Sequence, residues 1–539
     1  MNNRTAFTTS ELPASCDVLV LGSGAAGLVA ACRAADAGHD VLLVERANLI
    51  GGTTAVSGGV LWVPGNHLME AGGYSDRRED ALAYLTAVTR GDMPRERIEW
   101  FLDVGPEAVR YLCDETEVGL AALGRPDYRA DLPGAVPGGR VLDNLPFETG
   151  AHPGLAELLR PATYLPAITM LEREQSPGLD VEKAARERQS RGIRTMGGAL
   201  AGALAVSAHA RGVTFVVGAR AVELERSGDA WHVTLRQDGR TRRVVARTAV
   251  VLASGGFEWN PDLQRAYLPA PVLPIGAPGN EGDGLLMALR AGAAVRDMTA
   301  SWGVPAFQDP SVRYEDLPTG RLANVEMTRP GSVMVNRSGR RFVNEAQNYH
   351  DLTKVFREVD PANGVPRHTP AWLVYDGAYQ ERYPVAGVPR GTSPEWGVTR
   401  DTLEELAAAC GIDADGLAET IERFNEDAAS GSDRSFSRGD SVADRHLGDP
   451  AVGPNPCLAP ITRPPFTAVP VHAATLGTCG GALTDDQGRV LTPSGQPVEG
   501  LFAAGNVSAS LFGDFYPGGG TSLAAAVVRA YAIGSALSS

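Results

Sequence analysis

Two glycine-rich segments near the start of the chain have the residue types and spacing to bind a dinucleotide. The first is Gly22-Ser23-Gly24-Ala25-Ala26-Gly27, which follows the run Cys16-Asp17-Val18-Leu19-Val20-Leu21. In a strand–turn–helix setting, Gly22 permits the tight turn and Gly24 lets the backbone approach a pyrophosphate. Gly27 lets helix and strand pack closely, and Ala26 belongs to the same cradle. The N–H groups and positive dipole end of the following helix suit a phosphate. Glu45 ends the next apolar run, Asp40 to Val44, and can accept hydrogen bonds from ribose hydroxyls. The second segment is Gly51-Gly52-Thr53-Thr54-Ala55-Val56-Ser57-Gly58-Gly59. Two further glycine pairs so soon form a second cradle, beside the pyrophosphate and under a flavin ring. A nicotinamide site needs no such segment, so FAD is the expected cofactor. No second GxGxxG occurs, so no bound nicotinamide is expected to reoxidise the flavin.

Other chemistries have no carrier. The six cysteines (Cys16, Cys32, Cys113, Cys410, Cys457 and Cys479) contain no CxxC pair, and the nine histidines no HExxH, so no metal is expected. The cysteines read as reduced thiols of a cytoplasmic protein. A net charge of −15 argues against nucleic acid and anionic lipid as partners. No apolar stretch is long enough to span a bilayer, and residues 1–15 lack the pattern of a signal peptide. The expectation is a soluble, cytoplasmic enzyme.

The elements that must position these residues read as follows. Residues 16–21, a helix over 28–37 and the strand 40–44 make one strand–helix–strand unit. Residues 65–190 read mainly as helices and polar loops, with helical spacing at 80–89 and 106–113. A helix over 196–211 precedes strands at 214–217, 221–225, 231–236, 241–246 and 250–253. The stretch from about 300 to 470 has more aromatics, prolines and charge, with strand-like pieces at 332–336 and 371–375. The tail returns to the first pattern, a strand at 501–504, Gly505-Asn506 and a final helix. The fold class is therefore α/β: a discontinuous Rossmann-type FAD-binding domain (1–300 and 473–539) with an inserted α+β substrate-capping domain (301–472). Residues 430–456 are the segment expected to be mobile.

Further runs carry a family resemblance over nearly the whole chain. They are the strand near Val222, Ala253-Ser254-Gly255-Gly256-Phe257, Asn280-Glu281-Gly282-Asp283-Gly284 and Ala503-Ala504-Gly505-Asn506. With the glycine segments, they make the chain resemble the fumarate reductase and 3-ketosteroid dehydrogenase superfamily of flavoproteins. The resemblance implies FAD contacts at Val222, Ala253, Gly255, Asp283, Gly505, Asn506, Ser522 and Leu523. It implies others in the second segment, at Gly51, Gly52, Thr53, Thr54, Ser57, Gly58 and Gly59. Some relatives attach the flavin through a histidine in that segment; none lies between Gly51 and Gly59, so non-covalent FAD is expected.

Within the superfamily, the chain departs from the fumarate-reductase pattern. Thr475-Leu476-Gly477-Thr478-Cys479-Gly480-Gly481 stands for a His-Thr-Met-Gly-Gly run. Tyr349, after Asn344-Glu345, stands where a proton-donating arginine would be, and Phe515-Tyr516-Pro517 stands for another arginine. Without those positive charges a dicarboxylate is a poor substrate. Tyr516-Pro517-Gly518-Gly519-Gly520 instead resembles the Tyr-Pro-Gly-x-Gly motif of the 3-ketosteroid Δ1-dehydrogenases. The resemblance implies that the Tyr516 hydroxyl and the Gly520 N–H hold the substrate's ketone oxygen, as an oxyanion hole for an enolate. It implies that Tyr349 takes the proton alpha to the ketone, supported by Tyr128, which precedes Pro137-Gly138-Gly139-Arg140. The active site would lie at the junction of the two domains.

The expected reaction is dehydrogenation of an apolar, steroid-like cyclic ketone, with a quinone, an electron-transfer protein or oxygen as electron acceptor. Two alternatives stand beside it: an enone or enoate reductase of the same architecture, and a flavin-binding protein without catalysis. The commoner reading of Trp302 and Phe147, which could line a substrate pocket, is core. His472 reads as structural, and Cys479 receives no chemistry.

Overall fold

The unbroken apolar run Val18-Leu19-Val20-Leu21 needs cover on both faces of a strand. The computed structural model describes residue 7 and residues 9–176 and 178–538, and in it the strand Ser15–Leu21 lies inside an eight-stranded sheet. Val41–Val44 and then Thr214–Val216 lie on one side of it; Arg240–Leu252, Pro497–Ala503 and Arg489–Leu491 lie on the other. These strands run parallel except for the edge strand Arg489–Leu491. The antiparallel strands Ala219–Ser227 and Ala230–Gln237 continue the sheet from the early half of Arg240–Leu252. That strand is continuous where the sequence suggested two.

Side chains alternate across the sheet. Val18 and Val20 pack into the core that also holds the helices Ala25–Asp36, Met196–Ala210 and Thr521–Leu537. Leu19 and Leu21 face the opposite core, with Trp231, Val233, Met287 and Ala288. In register, Leu21 stands opposite Val44 and Leu252, and Leu252 opposite Ala503. The residues that follow, Gly22, Glu45, Ala253 and Ala504, therefore emerge together at the carboxyl edge of the sheet. This is the edge at which open α/β sheets bind ligands.

By internal contacts the chain forms two compact units. The first is Met1–Leu268, Gly276–Ser301 and Gly477–Ser539; the second is Pro269–Ile275 and Trp302–Leu476. Beside its large sheet, the first unit has a small antiparallel sheet of Leu61–Trp62, Val141–Asn144 and Leu120–Ala122. A buried ionic cluster ties the loops around it. Arg140 donates to Asp76 at 2.7 and 2.9 Å and to Asp127 at 2.6 Å. Asp127 also accepts from Trp62 Nε1 at 2.8 Å and from the Val136 N–H at 3.0 Å. Pro106, where the spacing suggests a helix start, lies inside the longer helix Arg95–Glu115.

The second unit is built on a seven-stranded sheet in which Phe466–Thr478 lies next to Ser301–Phe307 and Ala371–Tyr375, with Ser332–Asn336 beyond the latter. Val333, Val335, Trp372 and Val374 pack against Leu406, Leu417, Ile421 and Phe424 of the helices Leu403–Cys410 and Ala414–Ser430. Met334, Leu373 and Tyr375 face a separate core with Phe307, Phe356 and Tyr379. Residues 430–456, expected to be mobile, are tied down. Buried Asp433 accepts from Arg341 at 2.9 Å. Arg438, fully buried, reaches Glu345 at 3.2 Å and the carbonyls of Ser332, Met327 and Arg329 at 2.7, 2.9 and 2.8 Å. Asp433 and Arg438 thus hold this segment to the rest of the unit. No described helix is long and apolar enough to cross a membrane.

The Arg140 cluster yields a stability prediction. Removing one partner of a buried ion pair leaves an uncompensated charge and costs about 3–5 kcal/mol. Arg140→Ala strands two buried carboxylates, so it should lower the denaturant midpoint strongly. Arg77→Ala breaks a solvent-exposed pair with Asp80 and should leave the midpoint nearly unchanged. Equal midpoint shifts for the two variants in chemical unfolding would contradict this assignment.

Candidate active site

The carboxyl edge of the large sheet is shaped by backbone contacts that leave no room for side chains. Gly22 has φ +114°, and a Cβ there would lie 2.3 Å from the Ala253 carbonyl oxygen. A Cβ at Gly27 would lie 1.9 Å from the Gly22 carbonyl oxygen, so helix Ala25–Asp36 can sit on the strand only with glycine there. The N-cap of this helix is Gly24, which has no side chain to cap it, and no acidic residue occupies the first turn, which leaves the N-terminal dipole available to an anion.

The second glycine segment is laid directly on the first. Gly51 N–H donates to Ser23 Oγ at 2.9 Å, and Ala25 N–H to Thr54 Oγ1 at 3.0 Å. Gly52 faces Gly24, and Gly505 faces Ala26. Ser57 and Gly59 meet the start of helix Met196–Ala210, where Gly197 N–H donates to the Ser57 carbonyl at 3.1 Å. Gly58 faces Met170. Glu45 is buried; it accepts from Ser23 Oγ at 2.6 Å, from Ser23 N–H at 3.1 Å and from Ala47 N–H at 2.9 Å. The acid thus stiffens the turn, and a ribose would share its remaining lone pairs. Thr53 Oγ1 accepts from Ala277 N–H and from Asn280 Nδ2, each at 3.1 Å, and Gly255 abuts Asn280.

Asp283 starts helix Asp283–Arg290 just after the Asn280 turn, and Val222 lies on the strand Ala219–Ser227 with Arg220. The Val222 carbonyl accepts from Arg290 at 3.4 Å, and Asp283 pairs with Arg46 and Arg220 at 3.2 and 2.5 Å. Asn506 abuts Gly477. These surroundings fit FAD: two glycine cradles, a helix end with glycine at its N-cap and no acid in its first turn, and an acid beside the strand-to-helix turn.

The tyrosine motif lies in the same unit. Tyr128 and Tyr516 stack at 5.9 Å between ring centres, 20° from parallel. Two groups converge on the Pro517 carbonyl: the Tyr84 hydroxyl at 2.6 Å and the Tyr128 N–H at 3.0 Å. Burial raises the Tyr84 phenol well above its ordinary pKa, so this hydroxyl is a permanent donor. A Cβ at Gly518 would strike Trp62 at 2.2 Å. Gly520 has φ +98°, and a Cβ there would lie 2.4 Å from the Val60 carbonyl oxygen. Gly520 starts helix Thr521–Leu537, and its buried N–H has no acceptor among the described residues. Ser522 Oγ is 3.4 Å from the Tyr516 hydroxyl, and Leu523 packs against the core. A phenol and an orphan amide at one helix end can stabilise negative charge on an oxygen.

Tyr349 belongs to the second unit. It opens the short helix Tyr349–Thr353, capped by Asn348, and packs against Ile275, Val304, Ala306 and Ala474. Trp302 is a buried residue beside His350. Phe147 stacks on His152. Half-buried His472 has its pKa lowered by burial, and Cys479 is buried, its N–H bonded to the Ala300 carbonyl. Trp62, Tyr84 and Asp127, which hold the tyrosine loops, are not among the residues singled out by sequence. An aromatic on a short strand or a helix, or an acid in a loop, carries no local signal of such a role.

Comparison with known proteins identifies the family of the chain. The FAD binding domain family matches residues 17–523. The chain is 39% identical to 4-oxocyclohexanecarboxylate 2-dehydrogenase of Sinomonas cyclohexanicum, over 96% of this chain and 92% of that protein. It is 35% identical to 3-oxosteroid 1-dehydrogenase of Mycolicibacterium smegmatis, over 96% of each. The crystal structure of 3-ketosteroid delta1-dehydrogenase from Sterolibacterium denitrificans, in complex with 1,4-androstadiene-3,17-dione, superposes with a TM-score of 0.90. It is 34% identical, with 98% of this chain and 100% of that chain covered. The chain belongs to the FAD binding domain family of oxidoreductases, alongside the 3-oxosteroid 1-dehydrogenases.

Proposed function

We propose that the protein dehydrogenates a cyclic ketone, forming a carbon–carbon double bond alpha,beta to the carbonyl. The observation that carries this is the stacked Tyr128–Tyr516 pair beside the helix end that bears the orphan Gly520 N–H. The first compact unit is assigned to FAD, and the second, residues 269–275 and 302–476, to capping the substrate. The substrate is an apolar ring ketone, steroid-like or a single ring, as the names of the relatives suggest. FAD is held without a covalent bond, chiefly by the two glycine segments; when bound it supplies the hydride acceptor. The electron acceptor is a quinone, an electron-transfer protein or oxygen, and the setting is the cytoplasm.

The chain's own residues do the rest. Tyr516 hydroxyl and Gly520 N–H hold the ketone oxygen and stabilise the enolate that forms as the alpha proton leaves. Tyr349 takes that proton, and Tyr128 supports the transfer. A phenol with an ordinary pKa near 10 is a weak base, so the reaction depends on the oxyanion donors making the alpha proton acidic. The substrate loses one hydrogen as a proton from the alpha carbon and one as a hydride from the beta carbon.

The cofactor assignment predicts a yellow protein that releases intact FAD on acid or heat denaturation. Flavin that precipitates with the chain would reveal a covalent link. The mechanism predicts a graded mutational series. Tyr516→Phe removes one oxyanion donor and should cost on the order of a hundredfold or more in turnover. Tyr349→Phe removes the base and should cost a similar factor. Tyr128→Phe should cost less, and all three variants should keep FAD. The assay is product mass across a panel of 3-ketosteroids and 4-oxocyclohexane acids, read as loss of two hydrogens. Wild-type turnover by Tyr516→Phe and Tyr349→Phe would overturn the roles of both tyrosines.

A further inference from the structure

Glu258 follows the Gly255-Gly256 turn and is completely shielded from solvent. Its Oε1 accepts from Asn280 Nδ2 at 2.7 Å; its Oε2 has no hydrogen-bond partner among the described residues. The same Asn280 nitrogen donates to Thr53 Oγ1, which also takes the Ala277 N–H. Both Thr53 lone pairs are thereby occupied, and its hydroxyl proton has no acceptor among the described residues. Glu258 also lies against Gly256 and Gly477, the glycine that abuts Asn506. It thus adjoins two of the segments assigned to the cofactor, 253–257 and 280–284, and lies one residue from Thr53, through Asn280, and from Asn506, through Gly477.

No charged partner among the described residues compensates it. Asn280 comes from the 279–282 turn, where Glu281 is engaged by Arg46 and Arg220. Gln264, on helix Pro261–Tyr267, donates to the Glu258 carbonyl, and Asp262 and Arg265 of that helix pair with each other in solvent. The 477–478 segment and the 51–59 segment carry no charge. An ionised carboxylate here would be a buried charge without solvent or counter-ion, so burial pushes the acid up to about 7, against the opposing pull of hydrogen bonds from Asn280 and from the Glu258 and Thr478 backbone, and it carries its proton below neutrality.

We propose that Glu258 is a positioning residue of the cofactor site: as a neutral acid below neutrality it holds Asn280 so that Thr53 presents its hydroxyl as a donor to the bound flavin, and where it is ionised, above neutrality, it takes up a proton when the flavin is reduced. This rests on the FAD reading of the site. The proton comes from solvent and returns there on reoxidation; the electrons are those of the substrate's hydride. Above neutrality an ionised Glu258 opposes added negative charge on the flavin, so reduction there draws an additional proton. The midpoint potential of the wild type should then fall more steeply with pH than that of Glu258→Gln, which keeps an oxygen for Asn280 but cannot ionise.

The test is the flavin midpoint potential of both holoproteins from pH 6 to 9 (about two units around a carboxyl held near neutrality). Coincident profiles below neutrality that separate above it, with the wild type lower, are expected; profiles parallel throughout would overturn the proposal. Infrared difference spectra of the wild type alone keep it falsifiable if Glu258→Gln does not fold. A protonated-carboxyl band that changes on reduction is expected, and its absence at pH 6 would refute the assignment. A chain that binds no FAD would sink the reading of the site itself, whereas bound FAD with unaltered profiles sinks only the role of Glu258.

Discussion

Two hydrogen bonds meet on the Pro517 carbonyl, and the geometry of the tyrosine motif follows from them. Tyr84 reaches it with its hydroxyl and Tyr128 with its backbone N–H. Tyr128 is the neighbour of Asp127, which Arg140 and Trp62 hold in a buried ionic cluster. Trp62 in turn forms the wall against which Gly518 must be bare. A loop near residue 128 and a loop near residue 517 are thus locked by one buried acid and one shared carbonyl. The cost of burying Arg140 with two carboxylates is met by a full set of short bonds, which is the condition under which such clusters are tolerated. Their yield here is placement: Tyr128 stacked on Tyr516 at the start of the last helix.

The cofactor side relies on a different device. Parallel strands that end in register bring Gly22, Glu45, Ala253 and Ala504 to one edge, and close backbone approach at that edge excludes side chains. Ser23 and Thr54 stitch the two glycine segments to each other, so the second cradle is rigid before any ligand arrives. Pre-formed cradles of this kind save the ordering entropy that a flexible loop would lose on binding.

Much of this was legible in the sequence because it is local. The spacing of Gly22, Gly24 and Gly27 after an apolar run encodes a turn whose partners lie within one strand–helix–strand unit. The parallel sheet announced itself through runs such as Val18 to Leu21, apolar at every position because both faces are covered. The family of the chain and its reaction class were legible through Tyr516 to Gly520. The supporting contacts were not. Tyr84 and Pro517 are separated by 433 positions, and nothing near either residue marks the pair. Asp433 and Arg438 look like loop charges until Arg341 and Glu345 are brought to them by the fold. Glu258 gives no sign in sequence that it is the one acid of its turn left without a counter-ion.

The central claim is that a ring ketone is the hydride donor to the flavin of this chain. It is tested most directly by mixing the holoprotein with a 3-ketosteroid, and separately with 4-oxocyclohexanecarboxylate, in the absence of oxygen and any other acceptor. Rapid bleaching of the oxidised flavin absorbance by at least one of the two, with formation of the enone, is the predicted result. A flavin that stays oxidised with both ketones, yet is bleached by a chemical reductant and reoxidised by an enone, would contradict it.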